Sequence, residues 1–112
     1  MQPRDLQSLL DLLESARLVQ QYILDRKLDE FLEDVQLQDS VLRRLEIIGE
    51  AARRLSSDTR GRLPAVPWQD YVGLRNIVIH QYDSVDLYSI WETLQHDLPA
   101  LVTAVQPLVP GP

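Results

Sequence analysis

Asp39-Ser40-Val41-Leu42-Arg43-Arg44-Leu45-Glu46-Ile47-Ile48-Gly49-Glu50-Ala51-Ala52-Arg53-Arg54-Leu55 carries the clearest pattern in this chain. Val41, Leu45, Ile48, Ala52 and Leu55 recur at steps of three and four, which places them on one side of a helix; a half-buried strand would instead alternate. Arg43, Glu46, Glu50, Arg53 and Arg54 fall on the opposite side, where acid and base three or four residues apart support an exposed face. Ile47 and Ala51 widen the apolar side beyond what one neighbour needs, so a second packing surface is expected, and it offers a place for two copies to pair. Asp39 or Ser40 can supply the N-cap. Gly49 costs roughly 1 kcal/mol relative to alanine inside a helix, a loss that close approach of another helix would offset.

Working outward, Leu6, Leu9, Leu13 and Ala16, joined by Leu10, Val19 and Ile23, predict an amphipathic helix from Asp5 to about Arg26, with Pro3 suited to its first turn. A short helix is expected over Leu28 to Val35. Residues 56–67 hold two serines, a glycine and two prolines and read as a loop between helices. Trp68 to about His80 reads as a helix although Ile77-Val78-Ile79 is β-branched, because no other segment offers a strand partner. A turn over Gln81 to Val85 would end it. The last helix is expected from Asp86 or Leu87 to about Val105, with Leu87, Ile90, Trp91, Leu94, Leu98, Leu101, Val102 and Val105 on one side and a kink at Pro99. The fold class is therefore all-α, a bundle of four to five helices in a single domain over residues 1–106, with residues 107–112 as a frayed tail.

The 112 residues contain no cysteine, which excludes disulfides, thiolate zinc sites and thiol nucleophiles and fits a cytoplasmic protein. The opening residues show no signal-peptide pattern, and no apolar run is long enough to cross a bilayer, so no membrane association is expected. The net charge of −6 argues against a polyanion partner, but its distribution does not. Residues 1–40 hold four basic and nine acidic side chains, residues 41–82 seven and four, and residues 83–112 none and four. The basic block consists of Arg43, Arg44, Arg53, Arg54, Arg60, Arg62 and Arg75, and arginine is the residue that grips phosphate through a planar fork of donors. A solvated helix face paired to Glu46 and Glu50 explains much of the same charge.

Arg75-Asn76-Ile77-Val78-Ile79-His80-Gln81-Tyr82 is where chemistry is expected. A permanent cation for a phosphate and a proton carrier near neutral pH are the minimum for cutting RNA without a metal. Residues five apart on a regular helix point about 140° apart, so Arg75 and His80 converge only if His80 lies in the last turn, where the chain leaves the helix. That position also meets the negative end of the helix dipole, which favours protonated histidine. Cleavage needs a base for the ribose 2′-hydroxyl, an acid for the departing 5′-oxygen and a cation on the phosphorane. One histidine cannot comfortably do all the proton work, whereas a two-fold dimer with both Arg75/His80 pairs in a shared cleft supplies two. His96 lacks an arginine at comparable spacing and reads as a surface residue, and Trp68 and Trp91 read as core. No metal-ligand constellation, no glycine-rich phosphate loop and no cofactor motif is present.

The arginine, four residues, histidine, any residue and tyrosine of this stretch resemble the signature of the HEPN superfamily. The closest likeness is to the HepT-like ribonuclease toxins of HepT–MntA toxin–antitoxin pairs. Asp39 through Leu55, Val66-Pro67-Trp68, Gly73-Leu74-Arg75-Asn76, Val85-Asp86-Leu87, Trp91 and Asp97-Leu98-Pro99 are similar to that family in order and spacing, so the resemblance covers nearly the whole chain. It implies a HEPN-type bundle forming a two-fold homodimer, and a metal-independent endoribonuclease with an RNA substrate. Arg75 and His80 would be catalytic and Asn76 supporting. Tyr82 would be the tyrosine to which a partner minimal nucleotidyltransferase antitoxin adds AMP, bringing bulk and negative charge to the place an RNA phosphate must occupy. The alternative reading is a non-catalytic helical dimer that binds a nucleotide or the nucleotidyltransferase.

Overall fold

The computed structural model describes residues 1–80 and 86–110, and within it the side chains of residues 75–80 are outside the description. The regular structure of the described residues is all helical, with no strand among them. Helix α1 spans Pro3–Tyr22, α2 Leu28–Glu33, α3 Val35–Arg54, α4 Ser57–Arg62 and α5 Trp68–His80. The chain then gives α6 over Leu87–Glu92, a π turn over Thr93–Asp97, α7 over Leu98–Val105 and a 3-10 turn over Gln106–Leu108.

Helix α3 is the centre, packing along α1 on one side and α5 on another, while α7 lies against α1 and α6 against α2. Its expected apolar face is the one that is buried: Val41, Leu45, Ile48, Ala52 and Leu55 are all in the core. The second surface anticipated from Ile47 and Ala51 is largely taken up within the chain. Ala51 is only 2 % exposed, and Ile47 is half-buried beside a groove between α1 and α3. Gly49 is buried. Phe31 and Trp91 join α2 to α6, with ring centroids 5.3 Å apart, and burying such aromatic surface contributes strongly to a small core.

Several expectations are corrected. Helix α3 starts at Val35, not near Asp39, because the Asp34 carboxylate accepts from the Leu37 N–H at 3.0 Å and acts as N-cap. The Leu37 N–H, with help from Arg26 at 3.2 Å, holds the Asp34 carboxyl below the usual carboxylate range. Helix α1 stops at Tyr22 rather than running to Arg26, and Asp25 takes a left-handed backbone, φ 61°, that aspartate tolerates better than most residues. Its buried face also differs. Leu12 is fully buried, whereas Leu6 and Leu10 are 36 % and 38 % exposed.

The expected loop at 56–67 contains helix α4. Ser56 accepts from the Thr59 N–H at 3.3 Å, and the Trp68 indole N–H donates to the Arg60 and Leu63 carbonyls at 3.2 and 3.1 Å, satisfying the far end. Pro99 does not simply kink the last helix. It has no N–H for the carbonyl four residues back, and the preceding turn widens so that Leu98 donates to Thr93, five residues back. Beyond α7, Leu108 and Val109 lie half-buried against the core.

Candidate active site

Helix α5 is anchored at its start by the Trp68 indole and along its length by Tyr71, whose hydroxyl donates to the Asp97 carbonyl of the π turn at 3.2 Å. Burial, followed by the nearby charges of Asp97 and Asp70, pushes the Tyr71 phenol up to about 12. Leu74 and Val72 pack half-buried against the core. Helix α5 packs along α3 and includes the β-branched Ile77-Val78-Ile79 run, so a weak local preference did not decide its backbone.

Arg75, Asn76 and His80 therefore share one helix, Trp68–His80. The side chains of these residues lie outside the described residues, as do Tyr82 and the whole turn expected over Gln81 to Val85. The chain resumes at Asp86, which caps α6. The Ser89 hydroxyl at 2.8 Å, the Ser89 N–H at 3.3 Å and the Tyr88 N–H at 3.0 Å all donate to its carboxylate and hold it below its ordinary pKa against burial. The segment bearing Tyr82 is thus bounded by a packed helix on one side and a capped one on the other.

The other candidates fall where their chemistry suggested. His96 is exposed and sits 3.3 Å from Glu92, one turn away. Trp68 and Trp91 are buried in the core. Much of the arginine block is a paired surface: Arg43 to Glu46 at 2.7 Å, Arg53 and Arg54 to Glu50 at 2.8 and 3.5 Å, and Arg62 to Asp58 at 3.7 Å. Among the described residues no three His, Cys, Asp or Glu side chains gather where they could hold a metal ion. None of the described helices is long and apolar enough to cross a membrane.

One feature has no local signal in the sequence. Arg4, Arg53 and Arg60, drawn from α1, α3 and α4, line an open basin of about 730 Å³ together with Ser56 and Ser57. Arg4 stands in an acidic segment, and only the folded chain brings it to the other two.

Residues 12–108 match the family described as ribonuclease HepT-like, and the chain belongs to that family. A Methanocaldococcus jannaschii protein named as a candidate RNase is 40 % identical over 107 residues, covering 95 % of this chain and 98 % of that protein. A protein of Thermococcus cleftensis named as the probable ribonuclease HepT is 34 % identical over 91 residues, 81 % of this chain and 83 % of its own length. A longer M. jannaschii protein, named as a γ-glutamylcyclotransferase and candidate RNase, is 40 % identical over 90 residues, which are 80 % of this chain but 40 % of that protein. No solved structure matches. Membership supports a ribonuclease function, and the substrate class such a family implies is RNA.

Proposed function

We propose that this protein is a metal-independent endoribonuclease whose catalytic residues are Arg75 and His80, acting as the toxin of a toxin–antitoxin pair. The observation that carries the reading is the family match across residues 12–108, which contains the whole Arg75 to Tyr82 stretch, taken with the helix Trp68–His80 that carries both Arg75 and His80. Histidine is the side chain best suited to accept and to donate a proton near neutral pH.

In this mechanism the ribose 2′-oxygen attacks the adjacent phosphorus and gives up its proton to one histidine. The bond from phosphorus to the 5′-oxygen then breaks, and that oxygen takes a proton from a second histidine. The products carry a 2′,3′-cyclic phosphate and a free 5′-hydroxyl. Arg75 stabilises the charge on the crowded phosphorane through its fork of donors, and Asn76 supports its placement. Two histidines in one cleft require two copies, so the active form is a two-fold homodimer.

Silencing falls on Tyr82. A partner minimal nucleotidyltransferase transfers AMP from ATP to the phenol oxygen and releases pyrophosphate, leaving a phosphate two residues from His80 that repels and obstructs the RNA. Purified protein freed of any partner should cleave RNA in the presence of a chelator. His80→Ala and Arg75→Ala should each abolish cleavage while leaving circular dichroism and oligomeric state unchanged. Co-expression with the nucleotidyltransferase should raise the intact mass by AMP units, and Tyr82→Phe should prevent the increase. Intact RNA under these conditions, with a folded protein, would overturn the nuclease reading.

A further inference from the structure

We propose that the basin lined by Arg4, Arg53 and Arg60 is a second RNA contact, holding a backbone phosphate several nucleotides from the bond that is cut. The proposal rests on the ribonuclease reading for its choice of RNA. None of the residues lining the basin is acidic. Arg60 is held in place because its Nε and Nη2 donate to the Leu55 carbonyl at 3.2 and 3.0 Å, which leaves the remaining edge of its guanidinium for a ligand. Arg53 is steadied by Glu50 at 2.8 Å, a carboxylate that Arg54 also meets at 3.5 Å. Arg4 is exposed and makes no ion pair among the described residues.

A buried carboxylate builds this arrangement. Asp5, next to Arg4 in sequence, accepts from the Ser56 N–H at 2.9 Å, the Ser56 hydroxyl at 2.7 Å, the Thr59 hydroxyl at 2.6 Å and the Gln2 N–H at 2.8 Å. Four donors fix the carboxylate, and the same bonds lock the first turn of α1 against the start of α4. Arginines in such a frame suit a phosphodiester, which they can grip with two donors at once.

The position of the basin sets a length requirement. Trp68, the first residue of α5, is bonded to the Arg60 carbonyl at 3.2 Å, so the basin lies at the opposite end of that helix from His80. Twelve steps of helical rise separate the two ends by about 18 Å. A stacked strand advancing about 3.4 Å per nucleotide needs about five nucleotides to reach from one to the other. RNA shorter than that can meet one site only.

The test is binding of fluorescent 2′-O-methyl RNA, which lacks the attacking hydroxyl and stays intact, to the wild-type protein and to Arg4→Glu. Arg4 is exposed in the first turn of a helix, where an acidic residue is tolerated by the dipole, so the variant is expected to fold. For strands of ten nucleotides the variant should bind about tenfold more weakly at low salt, with the slope of log affinity against log salt reduced by about one or more. Binding of dinucleotides, which can meet only one site at a time, should fall by no more than about twofold. Equal affinity and equal salt slope for the two proteins on the long strand would overturn the proposal. So would wild-type binding of inorganic phosphate as tight as that of the long strand, which would make the basin a small-anion site. The measurement involves no cleavage: a protein that fails to cut RNA in chelator yet shows the Arg4 effect loses its nuclease assignment and keeps this contact, and the reverse result does the opposite.

Discussion

Replacing Asp5 should unfasten the N-terminal turn from the rest of the bundle. The side chain is fully buried and receives four hydrogen bonds, three of them from Ser56 and Thr59, more than fifty residues away. In Asp5→Ala the Ser56 N–H and the Thr59 hydroxyl lose their acceptor, and each buried orphan costs about 1–3 kcal/mol. The Ser56 hydroxyl lies 3.2 Å from that of Thr59 and can turn toward it, and the site is near the surface, where water can enter. These reliefs bring the expected loss to about 2–4 kcal/mol, a large part of the 5–15 kcal/mol of a typical domain. Urea unfolding at fixed protomer concentration should show the midpoint falling by about 1–2 M, given slopes of about 1–3 kcal/mol/M. The dependence on pH is a sharper check. Burial raises the Asp5 pKa, but the Ser56 and Thr59 hydroxyls and the two backbone N–H groups outweigh it and hold the folded-state value well below the usual range. A group depressed in this way contributes stability that is fully present above its unfolded pKa near 4 and is lost as pH falls through the folded value. The stability gap between wild type and Asp5→Asn should therefore be constant above about pH 5 and narrow below about pH 4. A loss under 1 kcal/mol for Asp5→Ala, or a gap that does not change in acid, would refute the reasoning.

Tyr71→Phe should cost about 1 kcal/mol by removing the bond to the Asp97 carbonyl, read by urea unfolding at neutral pH. Because the folded phenol is raised to about 12, its contribution is present below the unfolded value near 10 and fades as pH rises from there toward 12, so the wild-type advantage over Tyr71→Phe should vanish in strong alkali. Leu45→Ala, at a fully buried position on α3, should destabilise by about 2–5 kcal/mol through lost burial and a residual cavity, measured by the same assay. His80→Ala should lose RNA cleavage with an unchanged unfolding midpoint, and a parallel loss of both would assign it a structural role instead.

How far the chain could be read before folding differs element by element. Helix α3 was legible because its apolar residues keep one period against charged neighbours, and every residue assigned to its principal face is buried. Helix α1 was legible as a helix but not in its rotation. Leucines at 6, 9, 10, 12 and 13 spread over an arc of about 160°, wider than the buried stripe, and only contact with α3 and α7 selected Leu9, Leu12 and Leu13 for the core while leaving Leu6 and Leu10 partly exposed. Helix α4 was hidden because six residues rich in serine, glycine and arginine have no helical stability of their own; Asp5, Ser56 and Trp68 supply it from outside. Pro99 predicted a disturbance, and the π turn shows how the backbone absorbed it.

The candidate site divides in the same way. Arg75, Asn76, His80 and Tyr82 lie within eight consecutive positions, so their residue types and spacing, and the need for His80 to sit at a helix end, are properties of the sequence by itself. The gathering of Arg4 with Arg53 and Arg60 is not, because no local pattern links the first turn of α1 to the last turn of α3. That meeting was decided by a buried carboxylate whose hydrogen bonds form only when the two ends of the bundle close on each other. Local periodicity specifies what a segment can become, whereas long-range burial selects which faces touch.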